Sequence, residues 1–151
     1  MKARGQVLVL LAVSLGVLVL AVLAFLSLST LYGVRAHARQ SLQTASAVGA
    51  HLVEYDVGGS GELRIREDAG DAVREVFGRA LGTSRYGLGD DPEKIAGRVQ
   101  VEIHNEVPWQ SPYTGLTHHL PTLAARVQVP VRLLFFSVEV PIQVEAEAGT
   151  P

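Results

Sequence analysis

Between Arg4 and Arg35 the chain carries no charged side chain, and residues 7–32 are almost unbroken Val, Leu and Ala. As a helix rising ~1.5 Å per residue, residues 7–32 reach about 39 Å. The hydrocarbon core of a bilayer is about 30 Å thick, so this segment spans it with tilt. The apolar region of a cleaved secretory signal is usually about 7–15 residues. The run is therefore expected to stay as an anchor, although Ala36-His37-Ala38 has the small-x-small form that favours cleavage. Ser14, Gly16 and Ser27 interrupt the run with small side chains, the kind that let a second helix approach closely in a membrane.

Charge divides the chain in the same place. Lys2, Arg4, Arg35 and Arg39 are the only charged residues up to Val53, and all 15 acidic residues lie beyond it. Basic residues flank the run on both sides. The short N-terminal flank and the acidic C-terminal part favour an inside N-terminus and an outside C-terminal domain in the cytoplasmic membrane. No Lys/Arg stripe with interleaved aromatics points to nucleic acid. The chain has no cysteine, which excludes disulfides, zinc–thiolate sites and thiol nucleophiles.

The helical pattern does not stop at the membrane. Val34, Ala38, Leu42, Ala45, Val48 and Leu52 recur at spacings of three and four, with Arg39, Gln40, Gln43 and Ser46 between them. The expected plan is a basic leader (1–6), a transmembrane helix (7–34), its amphipathic continuation (35–56) and a small α+β domain (57–151). The Gly/Ser cluster at 56–61 reads as a turn. A short strand is expected at 62–66. A helix led by Asp71 is expected over Ala72, Val73, Val76, Phe77, Ala80 and Leu81, closed by Gly82, and a shorter one after Asp91-Pro92-Glu93. From Val99 the period becomes two, over 99–103, 123–131 and 138–146, predicting three strands with one buried face. The last two form a hairpin around residues 134–137. Pro130 and Pro141 fall on the outward parity, where a ladder is interrupted or an edge is exposed. The expected fold class is α+β: a long transmembrane and amphipathic helix packed on a small antiparallel sheet with a C-terminal β-hairpin.

Candidate chemistry is sparse. No GxSxG, HExxH, P-loop or dinucleotide-binding pattern occurs, and no catalytic residue, metal, cofactor or small-molecule substrate is expected. His118-His119 is the most site-like pair, but neighbours on a strand point to opposite faces. His104 and Glu106, two residues apart, are expected on one strand face, where they could in principle ligate a metal. Both pairs read most simply as solvated polar positions, as do Arg64, Arg66, Glu67 and Asp68. Apolar residues 134–136 are expected in the core, the alternative being an exposed hairpin that touches membrane or a partner. Trp109 is expected to anchor its loop on the core, the alternative being an interface.

A basic leader, an apolar helix running into an Ala/Gln-rich amphipathic helix, and a terminal hairpin together resemble pilins and pseudopilins. The nearer resemblance is to the tight-adherence (Flp-type) pilus-assembly proteins, the TadE/TadG-like family. Arg4-Gly5-Gln6 before the apolar run resembles the family's opening. Residues 35–47 (RAHARQSLQTASA), with Arg35, Arg39 and Gln43, resemble its membrane-exit segment, and the closing VEAEA at 144–148 resembles its end. The resemblance implies a non-enzymatic minor pilin or pseudopilin. Its partners would be other pilin-like subunits met through the transmembrane helix, with possible leader processing between Gly5 and Gln6 and a possible place in a cell-surface pilus. Processed pilin-like members carry glutamate at the fifth mature position, where this chain would have Leu10. The alternatives left open are a membrane-anchored binding module, or a minor pseudopilin of another secretion system, and an enzyme released by cleavage near Ala38.

Overall fold

The computed structural model describes residues 2–55 and 62–149; the turn expected at 56–61 lies outside the described residues. One helix, α1 (Lys2–Ala50), runs unbroken through the apolar segment and on into the outer domain. Its Gln6–Ala50 stretch is long and apolar enough to cross a membrane, and its most apolar window has none of its residues buried. The hydroxyls of Ser14, Ser27 and Thr30 each donate to the carbonyl four residues back, at 2.8, 2.9 and 3.0 Å. These three hydroxyls are therefore not left unpaired in lipid, where an unsatisfied group costs several kcal/mol.

The outer half of α1 lies across a three-stranded antiparallel sheet of order β3-β6-β7, formed by β3 (Gln100–His104), β6 (Thr122–Arg132) and β7 (Ser137–Glu147). Leu123, Ala125, Val127, Val129 and Val131 on β6, with Val140, Ile142 and Val144 on β7, face the helix and are buried. The helix answers with small side chains: Ala38, Ser41, Ala45, Ser46 and Gly49, with Leu42 as the large member of the stripe. Each fully buried Leu, Ile or Val contributes about 1.5–3 kcal/mol. Two further helices, α2 (Ala69–Leu81) and α3 (Pro92–Gly97), close the core, α2 against α1 and α3 against α2. The α+β class, the three strands and the terminal hairpin are as the sequence predicts.

Two boundaries differ from expectation, and two further points concern how the sheet is closed. First, α1 ends at Ala50, and the last residues assigned to it form β1 (Val53–Tyr55), paired with β2 (Leu63–Ile65). Val48 is exposed and Gly49 takes the buried position. A Cβ at residue 49 would lie 2.5 Å from Val73 Cγ2 and 3.3 Å from the Ala69 carbonyl oxygen. The close crossing of α1 and α2 thus needs glycine there and sets which face turns inward. Second, α2 begins three residues before the expected start, with Asp68 rather than Asp71 at the N-cap position, its carboxylate bonded to Arg66 and not to the helix N–H groups. Its first turn, Ala69-Gly70, is buried because that is where the crossing occurs.

Third, the 82–89 segment is tied to the sheet. The Gly87 carbonyl accepts from Arg132 N–H and the Gly89 N–H donates to the Pro130 carbonyl, both at 2.8 Å. Fourth, of the two roles expected at the prolines of outward parity, an interrupted ladder or an exposed edge, the second holds: Pro130 pairs with Glu139 and Pro141 with Gln128. On a strand, a residue's N–H and C=O point the same way. Pro130 turns its carbonyl to Gly89, so its missing N–H falls on the side where β3, which reaches only to the Arg126 pairing, is absent. Pro141 lies on the edge strand β7, where a missing donor is tolerated.

Candidate functional site

The densest cluster of polar chemistry is on the sheet face turned away from α1. Three residues of each row align across the strands: Glu102, Ala124 and Glu145, then His104, Thr122 and Glu147. Over them lies a ribbon of two short strands, β4 (Trp109–Gln110) and β5 (Thr117–His118), which the sequence reading left as loop. Ala124 and Thr122 are small, and the space above them holds the His118 ring. Its Nδ1 lies 2.7 Å from Glu147 Oε1 and its Nε2 3.1 Å from Glu145 Oε2. Trp109 stacks between two imidazoles, its centroid 3.9 Å from His104 and 5.5 Å from His118. Ser111 Oγ donates to Glu145 and accepts the backbone N–H groups of Tyr113 and Thr114, while Thr114 Oγ1 donates to the same carboxylate at 3.0 Å. Arg126 adds a second tether, bonding Glu102 and the Tyr113 hydroxyl at 2.9 Å each.

A carboxylate only accepts, so both ring nitrogens of His118 donate when it is the imidazolium ion. Burial opposes that charge, but the hydrogen bonds to Glu147 and Glu145 outweigh it, and the His118 pKa is raised above its ordinary 6.5. Burial likewise pushes Glu145 up, and the donors Ser111, His118 and Thr114 more than reverse it, so its pKa is lowered. The cluster is a charged clamp that sews the ribbon to the sheet. Ser111 is bonded to the carboxylate and not to His118, and both imidazole nitrogens are occupied, so this is no nucleophile–base pair. Among the described residues no group of His, Asp and Glu is arranged to hold a metal ion.

The solvated reading of His118 is therefore corrected: it is buried, and only His119 is exposed. The opposite facing of the two histidines holds. His104 and Glu106 do not share a strand face, because β3 ends at His104 and Glu106 lies in an exposed bend. Trp109 anchors its loop on the outer face of the sheet rather than on the apolar core. Arg66 pairs with Asp68 at an exposed site, and Arg64 and Glu67 are exposed, as expected of a solvated segment. Sequence reasoning missed Glu145 and Glu147. Their alternation with inward-facing Val144 and Ala146 was the available signal for an acidic pair on one face.

No protein-family model, curated protein or solved structure matches this chain. Gly5 lies inside α1, and Gln6 is exposed at the start of the apolar stretch. Gly16 has open space where a side chain would be, and Ser14 is exposed. At 100° per residue, Gly16 and Ser27 fall on the same side as Val34 and Ser14 on the far side. They are not one packing face. Ser27 is half-buried, on the side that the outer domain covers. Arg35, Arg39 and Gln43 form an exposed row one residue round from the buried Val34, Ala38 and Leu42.

Proposed function

We propose that the chain is a non-enzymatic, single-span membrane component of a tight-adherence (Flp-type) pilus or a related secretion apparatus, a minor-pilin or pseudopilin-like assembly subunit. The observation that carries this reading is the continuity of α1. One helix supplies both the apolar span and the central support of the sheet, so a displacement of the membrane segment is transmitted rigidly to the outer domain. Subunits that assemble through packed membrane helices need this coupling. An anchor joined by a flexible linker would serve a binding module equally well. The sequence resemblance over residues 4–47 supports the same reading, and the exposed row Arg35, Arg39, Gln43 lies where neighbouring helices would meet outside the bilayer.

The test is photo-cross-linking in cells that make the apparatus, with the reactive group at Gly16 in the full chain. Cross-links to other pilin-like subunits are expected, and they should disappear when residues 7–32 are replaced by an unrelated apolar helix. If residues 35–149 alone, without the span, retained every partner, the protein would be a binding module and this reading would fall.

A further inference from the structure

The hairpin joining β6 to β7 exposes its apolar tip. Leu134, Phe135 and Phe136 are 52%, 81% and 61% exposed, so of the two readings the sequence allows, the exposed hairpin holds and the favoured core position does not. The physical reason is geometric: the tip projects past the end of the sheet. Its turn is closed by Leu133 N–H donating to the Phe136 carbonyl at 2.8 Å.

Two contacts fix how far toward the membrane this tip reaches. Gly49 of α1 packs beside Leu123, the second residue of β6. At the other end, a Cβ on Gly87 would lie 2.7 Å from Thr30 and 2.8 Å from Val34, and the Gly87 carbonyl accepts from Arg132. From Gly49 back to the Thr30–Val34 level the helix rises about 26 Å. From Leu123 to Arg132 the strand advances about 30 Å. Helix and strand thus run antiparallel and nearly in step. The tip lies about two strand residues further, or roughly 6 Å, which brings it level with α1 near Leu26, inside the uncharged run.

The surroundings agree. Tyr86, 79% exposed, lines a cleft of about 250 Å³ against Leu26, Ser29, Thr30 and Gly33. Tyr32 is 65% exposed at the same height. The cations Arg35 and Arg132 are exposed, Arg35 three residues beyond Tyr32 along α1 toward the domain and Arg132 two residues before the hairpin tip. Aromatic residues at the interface with cations just outside it are the arrangement of a membrane boundary. An apolar hairpin held at that level faces hydrocarbon or headgroups, not water.

We infer that the 134–136 hairpin tip, with Tyr86, inserts into the same bilayer leaflet that α1 leaves, as a second membrane contact. The occupant of this surface is lipid. The domain then stands on two points, so α1 cannot swivel freely about its own axis, and the outer face of the sheet is held at a set orientation to the membrane. This rests on α1 spanning the membrane.

The absence of cysteine allows a single one to be introduced for labelling. The full chain, reconstituted in phosphatidylcholine–phosphatidylglycerol vesicles, would carry an environment-sensitive fluorophore at Leu15→Cys, Phe135→Cys or His119→Cys, with a quencher attached to the lipid chains. Residue 119 is exposed and belongs to the ribbon at the far end of the sheet. Labels at 15 and 135 are expected to be quenched several-fold more than the label at 119, with blue-shifted emission. A quenched label at 15 with a water-like label at 135 would overturn the hairpin anchor and leave the span intact. A water-like label at both would overturn the span and the anchor together. Leu134→Cys, read in the same way, guards against an effect peculiar to position 135.

Discussion

Phe77→Ala is expected to destabilise the outer domain severely while leaving the chain in its membrane. Phe77 is the largest fully buried side chain, on the α2 face that closes the core against α1. Truncating a buried Phe to Ala costs about 3–5 kcal/mol, because the lost transfer energy is joined by that of the cavity left behind. A domain of about 100 residues has about 5–15 kcal/mol in total. The melting temperature of the domain in detergent micelles should fall by more than about 12 °C, and protease should cut between residues 62 and 149 under native conditions. Phe25→Ala is the matched control. It removes the same atoms from a side chain that is 71% exposed in the apolar run. It should leave domain melting almost unchanged. Equal effects from the two would contradict the division between core and membrane helix.

His118→Ala is expected to release the 105–121 ribbon. It leaves Glu145 and Glu147 facing the vacated site without their cation; the side chain of Glu145 is 8% exposed and that of Glu147 31%. Removing one partner of a fully buried ion pair costs about 3–5 kcal/mol, most of it from the charge left behind. The partial exposure of Glu147 brings the expected loss to about 2–3 kcal/mol. If the loss of the imidazolium beside Glu145 is the cause, adding Glu145→Gln to His118→Ala should recover part of that loss, a non-additivity that marks direct coupling.

The clamp also has a pH signature. The raised His118 pKa gives stability that is complete below its ordinary 6.5 and is lost as pH rises through the raised value. The lowered Glu145 pKa gives stability present above its ordinary 4.5 and lost as pH falls through the lowered value. Protection of the 109–118 backbone amides against hydrogen exchange should therefore be greatest in mildly acidic to neutral solution and decline on both sides. His118→Ala should abolish the decline on the alkaline side. Protection independent of pH in the wild type would mean that the clamp does not hold the ribbon.

What the sequence made legible follows the physics of its patterns. The membrane helix is legible because thirty-odd ångströms of uncharged chain have few other destinations. The β6 and β7 strands are legible because their alternation matches a single buried face. At 134–136 the sequence leaves core and exposed hairpin both open and favours the wrong one, because hydrophobicity alone does not separate a side chain buried in a core from one that faces outward beside a membrane helix. The end of α1 was missed by a few residues because Gly49, and not Val48, meets α2, a crossing known only once Val73 and Ala69 are in place. The clamp was hidden because His118 and the two glutamates are nearly thirty residues apart. Only the register that sets Thr122 opposite Glu147, with the ribbon folded over it, brings them together.

The central claim is that α1 is one continuous element, retained in the membrane and built into the domain. Ala38, the last residue of the small-x-small sequence, is fully buried in the middle of that helix. Cleavage after it would strip Val34 and Ala38 from the core. The most direct test is the intact mass and N-terminal residue of the protein recovered from cells after separation of membrane and soluble fractions. The account predicts a membrane-bound chain that retains the whole of residues 7–50, whether it starts at Met1 or at Gln6. A soluble product beginning near Arg39, with its domain folded, would contradict it.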